Sequence, residues 1–211
     1  MSELTDAKRR IVERLKRVES ATAPVLAEEF GLTDTAVRQH LDALELGGLV
    51  ERTPGPSSGR GRPPVHWRLT PAAADLFPDR HAELAVDFIR AIRSTLGDEA
   101  LDHVLAARGA QQLAAYRTKL PADSSVPVRV RRLAELRTAE GYLAEAVADG
   151  DATVLVEHHC PVGDAARSCT DLCRHELQLF RSALGDDVTV ERTQHVLAGD
   201  ARCAYRISPS R

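Results

Sequence analysis

The sequence predicts an α+β protein in three parts: an N-terminal domain at 1–70, a helical connector at 71–120 and a C-terminal α/β domain at 121–211. In the N-terminal domain, amphipathic helical segments precede two short segments in which apolar and polar residues alternate. The connector shows only the apolar spacing of helices. In the C-terminal domain, segments in which apolar and polar residues alternate flank a predicted helix. A chain of 211 residues can bury one substantial core or two modest ones, and the pattern favours a small N-terminal domain followed by a larger one.

Composition limits the compartment and the chemistry. Lys and Arg number 28 against 31 Asp and Glu, a net charge of -3, so the whole chain is not basic. No apolar run approaches the roughly 18 to 20 residues that cross a bilayer, and Met1 opens no secretory signal. We therefore expect a cytoplasmic protein with no membrane partner. In a reducing compartment, its four cysteines favour metal or redox chemistry over structural disulfides.

Helical apolar spacing occurs at 7–18, 22–30 and 34–46. Gly31 separates the second segment from the third, and Thr33 fits an N-cap. A short helix, a turn at glycine and a second helix predict a helix-turn-helix.

Two alternating segments, 49–53 and 65–69, predict a β-hairpin. Its long tip contains Arg60 and Arg62 between glycines and prolines. Arginine on a glycine-rich tip suits phosphate or minor-groove contact. The pattern is that of a winged helix-turn-helix.

The third helix should expose Thr35, Arg38 and Gln39, because Val37 and Leu41 form its apolar face. Arg can bond guanine and Gln can bond adenine through two hydrogen bonds each. The predicted DNA-binding residues are Thr35, Arg38, Gln39, Arg60 and Arg62.

The connector contains a predicted helix at about 82–96 with Leu84, Phe88 and Ile92 at a spacing of four. A palindromic operator in double-stranded DNA is bound by two DNA-binding domains related by two-fold symmetry. This stripe is therefore a candidate homodimer interface, or seam. The alternative, that the stripe covers its own domain core, stays open.

The C-terminal part alternates strand and helix patterns. The predicted strands are 141–148, 152–159, 188–196 and 202–208. One predicted helix contains Arg129 and ends near Thr138, another is 170–184, and 161–168 is predicted to be a loop.

All four cysteines fall in the last quarter of the chain: Cys160, Cys169, Cys173 and Cys203. Three of them come from a strand end, a helix start and a hairpin strand, which can point into one space. Thiolates from several elements suit an iron–sulfur cluster. The spacing lacks the paired C-x2-C of structural zinc. A zinc or thiol-redox regulator and four unrelated buried cysteines remain alternatives.

An enzyme is a further alternative, with His175 and Glu176 beside Cys173 as acid–base groups. Nothing pairs them in a nucleophile, base and orienting-group arrangement, so we expect no enzyme.

Four segments together resemble the SufR family of iron–sulfur repressors that control the suf cluster-assembly operon: T-A-V-R-Q-H-L-D-A-L-E-L-G-G-L-V, G-R-G-R-P, H-H-C-P and A-G-D-A-R-C-A-Y-R-I. The resemblance implies that Cys160, Cys173 and Cys203 hold the cluster and that the cluster-bound form binds DNA more tightly. Cys169 is our preferred fourth ligand, and four thiolates favour [4Fe-4S] over [2Fe-2S]. The alternative fourth ligands are His158, His159 and His175.

Overall fold

The computed structural model describes residues 4–54, 64–121 and 123–210. They belong to two compact units, Met1–Asp79 and Arg80–Arg211. Both units contain helices and strands, which confirms the α+β class. No helix in these ranges is both long and apolar enough to cross a membrane.

The first unit has the predicted order of helices followed by an antiparallel hairpin. Its described elements are α1 (Asp6–Val18), α2 (Ala23–Phe30), α3 (Asp34–Leu46), β1 (Val50–Pro54), β2 (Val65–Leu69) and a 3-10 helix (Pro71–Leu76).

The core of the first unit joins every helix to the hairpin. Ile11 and Leu15 of α1, Leu26 of α2, Leu41 of α3 and Trp67 of β2 are all buried in one cluster. The apolar spacing of the three helices is thereby explained, because each contributes one stripe to this core.

The second unit packs helices against a sheet. Its described elements are α4 (His81–Leu96), α5 (Asp98–Arg117), α6 (Val126–Ala139), β3 (Ala144–Asp149), β4 (Ala152–Glu157), α7 (Gly163–Ser168), α8 (Asp171–Leu184), β5 (Val188–Gln194), a 3-10 helix (Val196–Ala198) and β6 (Cys203–Pro209).

The sheet is antiparallel with strand order β3-β4-β6-β5. Leu133 of α6 and Phe180 of α8 pack in one core with Leu155, Tyr205 and Ile207 of the sheet. The Phe180 and Tyr205 rings meet edge to face, with centroids 4.9 Å apart. This packing fixes α8 against β6, the two elements that carry Cys173 and Cys203.

Two features differ from the sequence predictions. Helices α4 and α5 belong to the second unit, whereas 71–120 was expected to be a separate connector. Leu101 and Leu105 of α5 are buried there in a cluster with Cys169. The loop predicted at 161–168 is wrong, because Gly163–Ser168 forms the short helix α7.

Candidate functional site

The helix-turn-helix consists of α2, a turn and α3. Gly31 ends α2 in the left-handed conformation with φ of 66°, which glycine adopts without a Cβ clash. The hydroxyl of Thr33 caps α3 by accepting a hydrogen bond from the Ala36 amide at 3.2 Å. The sequence therefore sets both sides of the turn.

Thr35, Arg38 and Gln39 are exposed on α3, as expected of a recognition helix. Arg38 Nε donates to Asp34 Oδ2 at 2.7 Å, and both side chains are about half exposed. An ion pair this exposed stabilises by about 1 kcal/mol or less, so Arg38 can leave Asp34 for a base.

Arg52 of β1 changes the charge at the far end of α3. It contacts Asp42 at 2.7 Å and Glu45 at 2.8 Å, and its guanidinium lies over the Trp67 ring. Asp42 alone would repel a phosphate, but Arg52 offsets that charge. The pairing of α3 with β1 could not be seen from local spacing.

The predicted contacts of the wing, Arg60 and Arg62, lie outside the described residues.

A cavity of about 450 Å³ in the second unit is lined by three of the four cysteines. Cys160 follows β4, Cys173 lies in the first turn of α8 and Cys203 begins β6. These three positions are far apart in sequence, and the antiparallel sheet with α8 packed on it brings them to one space.

Burial raises the pKa of all three thiols, and that of Cys173 rises to about 11. The carboxylate of Glu176 contributes to each increase. Backbone hydrogen bonds from Val162 to Cys160 and from Val196 to Cys203 act in the opposite direction and favour thiolate. A metal bound to these sulfurs would act in the same direction, because it binds the deprotonated form.

An ionic network links the elements that line the cavity. Arg137 of α6 bonds Glu157 of β4 and Glu176 of α8, and Tyr205 of β6 donates to Glu176 at 2.7 Å. Arg192 of β5 donates to the backbone carbonyl of the cavity residue Cys173. The network was not predicted, and it holds α8 in a defined position behind the thiols.

Cys169 is not brought to this cavity. It is 1% exposed in an apolar cluster with Leu101 and Leu105 of α5, and its sulfur accepts a hydrogen bond from Arg93 at 3.4 Å. The position differs from the expectation that four cysteines share one centre. The physical reason is α7, which ends at Ser168 and directs the next residue toward α4 and α5.

The histidines considered as alternative fourth ligands are separated by the fold. His158 and His159 line the cavity and are exposed. His158 Nε2 lies 2.8 Å from Glu145. His175 is absent from the cavity lining and lies 2.8 Å from Asp102 of α5.

His195 also lines the cavity and was missed by the sequence reasoning. Its Nε2 is buried and has no hydrogen-bond partner within the described part of the chain. Burial and the nearby cation of Arg192 lower the pKa of His195, which favours the neutral ring. A predicted strand running to Val196 gave no signal of this position.

The residue types that line the cavity are those that hold iron–sulfur clusters, but their arrangement in this structure does not itself form a metal site. Three soft sulfur atoms line one cavity, and backbone amides support two of them, which is how proteins hold and tune such clusters. Across residues 4–54, 64–121 and 123–210, no group of three or more His, Cys, Asp or Glu side chains is arranged for one metal ion.

A second, mostly apolar cavity of about 330 Å³ adjoins the first. Phe88 and Ile92 of α4 and Leu101 of α5 line it on one side, and Cys160 and Cys173 line it on the other. The two thiols therefore line both the first cavity and this more apolar one.

The exposed recognition helix and its capped turn define the class of the first unit: it is a helix-turn-helix domain, a fold by which proteins bind DNA. Residues 5–53 match the family model described as a helix-turn-helix domain.

Among solved structures, the chain is similar to the phenol-responsive sensory domain of the transcription activator PoxR with phenol. The two are 14% identical, the match covers 61% of this chain and 74% of that chain, and the TM-score is 0.42. This likeness is too distant to transfer the ligand of that protein. The curated proteins contain no match.

Proposed function

We propose that this chain is a cytoplasmic, homodimeric transcriptional repressor that senses an iron–sulfur cluster and controls the suf operon. The helix-turn-helix domain would bind a palindromic operator through Thr35, Arg38 and Gln39, together with Arg60 and Arg62. No enzymatic role is proposed.

The observation that carries the proposal is the convergence of Cys160, Cys173 and Cys203 on one cavity. When bound there, the cluster supplies an iron- and oxygen-dependent crosslink between β4, α8 and β6. Since Cys169 lies in a separate apolar cluster, the proposed cluster has three thiolate ligands from this chain.

Helix α8 offers a physical route from the thiols toward the N-terminal unit. Arg174 and His175, which follow Cys173, both contact Asp102 of α5, at 2.7 and 2.8 Å. Helix α5 packs in turn against α4, whose first residue His81 lies just after the boundary between the units. A shift of Cys173 would therefore move α5 and α4.

Helix α4 supports the homodimer. None of its residues is buried, although it is amphipathic, and Leu84, Phe88 and Leu96 are 50%, 60% and 66% exposed. Ile92, the third residue of the predicted seam, packs instead with Leu101 of its own unit. A second copy of α4 is the proposed cover for Leu84 and Phe88.

The test compares three alanine variants, Cys160→Ala, Cys173→Ala and Cys203→Ala, with the matched control Cys169→Ala. Each protein is reconstituted anaerobically with iron and sulfide, and its visible absorption, iron content and affinity for the suf promoter region are measured. We expect the three variants to lose cluster and promoter binding together, and the control to keep both.

Equal cluster content in all four variants would contradict the proposal. A colourless wild-type protein that contains zinc would instead favour the zinc regulator, and a colourless metal-free protein whose promoter affinity follows thiol oxidation would favour a redox switch.

A further inference from the structure

The apolar cavity beside the thiols has an apolar stripe of α4 as one wall. Side chains three and four positions apart lie on one face of a helix. The residues of α4 that line the cavity have this spacing, and all are apolar: Ala85, Phe88, Ile89 and Ile92. In a closely packed core such a stripe would fill the space that it faces. Here a cavity of about 330 Å³ remains, and α5, α7 and α8 supply its other walls.

The last turn of α4 is tied to these other walls through Arg93. Its guanidinium donates to the carbonyl of Ser168 at 3.3 Å and to the sulfur of Cys169 at 3.4 Å, between α7 and α8. Its Nε also pairs with Asp98, the first residue of α5, at 2.9 Å. One side chain therefore holds three walls of the cavity together at that end.

Helix α5 gives the cavity a direction. Its lining residues share one face of the helix and change from apolar to polar along the chain: Leu101, Val104, Leu105, Arg108 and Gln112. Sites for small organic molecules are mostly apolar, with a few polar groups that fix the orientation of the ligand. A molecule that lies along α5 would meet apolar side chains at one end and polar ones at the other.

Arg108 is the cation that this cavity offers to a ligand. No carboxylate pairs with Arg108 within the ranges that the structure describes. Arg137 and Glu176 also line the cavity, but they bond each other, and Glu157 bonds the same guanidinium of Arg137. The uncompensated charge is therefore positive. A guanidinium can donate two parallel hydrogen bonds to one carboxylate.

We propose that this cavity binds a small monocarboxylate with an apolar body. The carboxylate pairs with Arg108, and the body lies against Ile92, Leu101 and Leu105. This inference goes beyond the proposed function and does not depend on the cluster. Since Phe88 lines the cavity and is exposed as well, a bound ligand contacts the helix of the proposed dimer seam.

Isothermal titration calorimetry on the full-length protein tests the charge of the ligand. The probes are 2-naphthoate, octanoate and the neutral analogue 2-naphthamide. The variants are Arg108→Gln and the control Arg117→Gln, an exposed position of α5 that does not line the cavity. We expect saturable binding of the carboxylates to wild type and to Arg117→Gln with equal affinity. Arg108→Gln should bind them about 10-fold more weakly, the lower end for a hydrogen bond to a charged group, and should bind the amide as wild type does.

A cavity-filling variant tests the location. Ala165 of α7 lines the cavity, and Ala165→Phe should abolish binding of both carboxylates by occupying the space of the apolar body. Circular dichroism establishes whether that variant folds. If it does not, the comparison of Arg108→Gln with Arg117→Gln still decides the question.

Three results would overturn the carboxylate site: no saturable binding of either carboxylate at millimolar concentration, unchanged affinity in Arg108→Gln or in folded Ala165→Phe, or equal affinity of wild type for 2-naphthoate and 2-naphthamide. The last result would indicate a neutral apolar ligand instead. A protein that takes up no cluster but binds the carboxylates through Arg108 would overturn the proposed function alone.

Discussion

Arg137 and Glu157 form an ion pair, 2.5 Å from Nε to Oε1, in which the two side chains are only 1% and 3% exposed. The same guanidinium bonds Glu176 and lies over the ring of Tyr142. One arginine thus joins α6, β4 and α8 behind the thiol-lined cavity. Its pairing with two carboxylates offsets part of the cost of burying these charges.

Replacing Arg137 by methionine should be strongly destabilising, because Glu157 would remain buried without its partner. We expect the free energy of unfolding to fall by about 3 to 5 kcal/mol. Urea denaturation measures the change. The control Arg132→Met breaks the exposed pair with Glu135 and should cost about 1 kcal/mol or less. If both variants lost a similar free energy of unfolding, the buried network would contribute no more to stability than an exposed ion pair.

The stability of the cluster-free protein should depend on Glu157 between pH 4.5 and about 7. Burial outweighs the attraction of Arg137 and raises the pKa of Glu157 from 4.5 to about 7. Since the folded pKa exceeds the unfolded one, the contribution of Glu157 is full below pH 4.5 and is lost as the pH rises through about 7.

Urea denaturation of wild type and Glu157→Gln across this range checks the sign. Wild type should lose more stability than the variant as the pH rises, because glutamine does not titrate. Parallel curves would contradict the raised pKa.

Arg38→Ala should weaken operator binding by about 1 to 3 kcal/mol and relax the base preference at one position. The pair with Asp34 is exposed and costs little to break, so most of the loss should come from DNA. Fluorescence anisotropy on operator duplexes with single base changes measures both effects. The control is Arg132→Ala in the second unit. An equal loss of operator affinity in that variant would show that Arg38 does not contact the bases.

Phe88→Glu should dissociate the dimer, since the charge would be placed in the proposed seam of α4. We expect the dimer dissociation constant to rise about 10-fold or more, equivalent to about 1.4 kcal/mol. Sedimentation equilibrium measures it. Val147→Glu substitutes an exposed apolar residue of β3 and should leave the constant unchanged. A monomeric wild type, or an unchanged dissociation constant in Phe88→Glu, would contradict the proposal that α4 forms the dimer interface.

Much of the fold was predictable because the spacing of apolar residues and the capping residues of each element determine it locally. Helical spacing and the cap at Thr33 located α1 to α3, and strand alternation located β6 to within a residue at each end. The ends of β4, α8 and β6 were near enough to the predicted ends to place three cysteines at one cavity.

The rest depends on contacts between distant residues. The six-residue helix α7 has too little periodicity to be recognised, and it determines where Cys169 lies. Strand β5 ends at Gln194 rather than Val196, and this difference makes His195 part of a turn. The buried pairing of Arg137 with Glu157 follows from how α6 packs on β4, which no local pattern encodes.

Mössbauer spectroscopy tests the central claim most directly. Wild type, the Cys160→Ala, Cys173→Ala and Cys203→Ala triple variant, and Cys169→Ala are reconstituted anaerobically with ⁵⁷Fe. We expect the quadrupole doublets of a [4Fe-4S] cluster in wild type and in Cys169→Ala, and only unbound or mononuclear iron in the triple variant. An undiminished cluster spectrum in the triple variant, or its loss in Cys169→Ala alone, would show that Cys160, Cys173 and Cys203 do not hold the cluster.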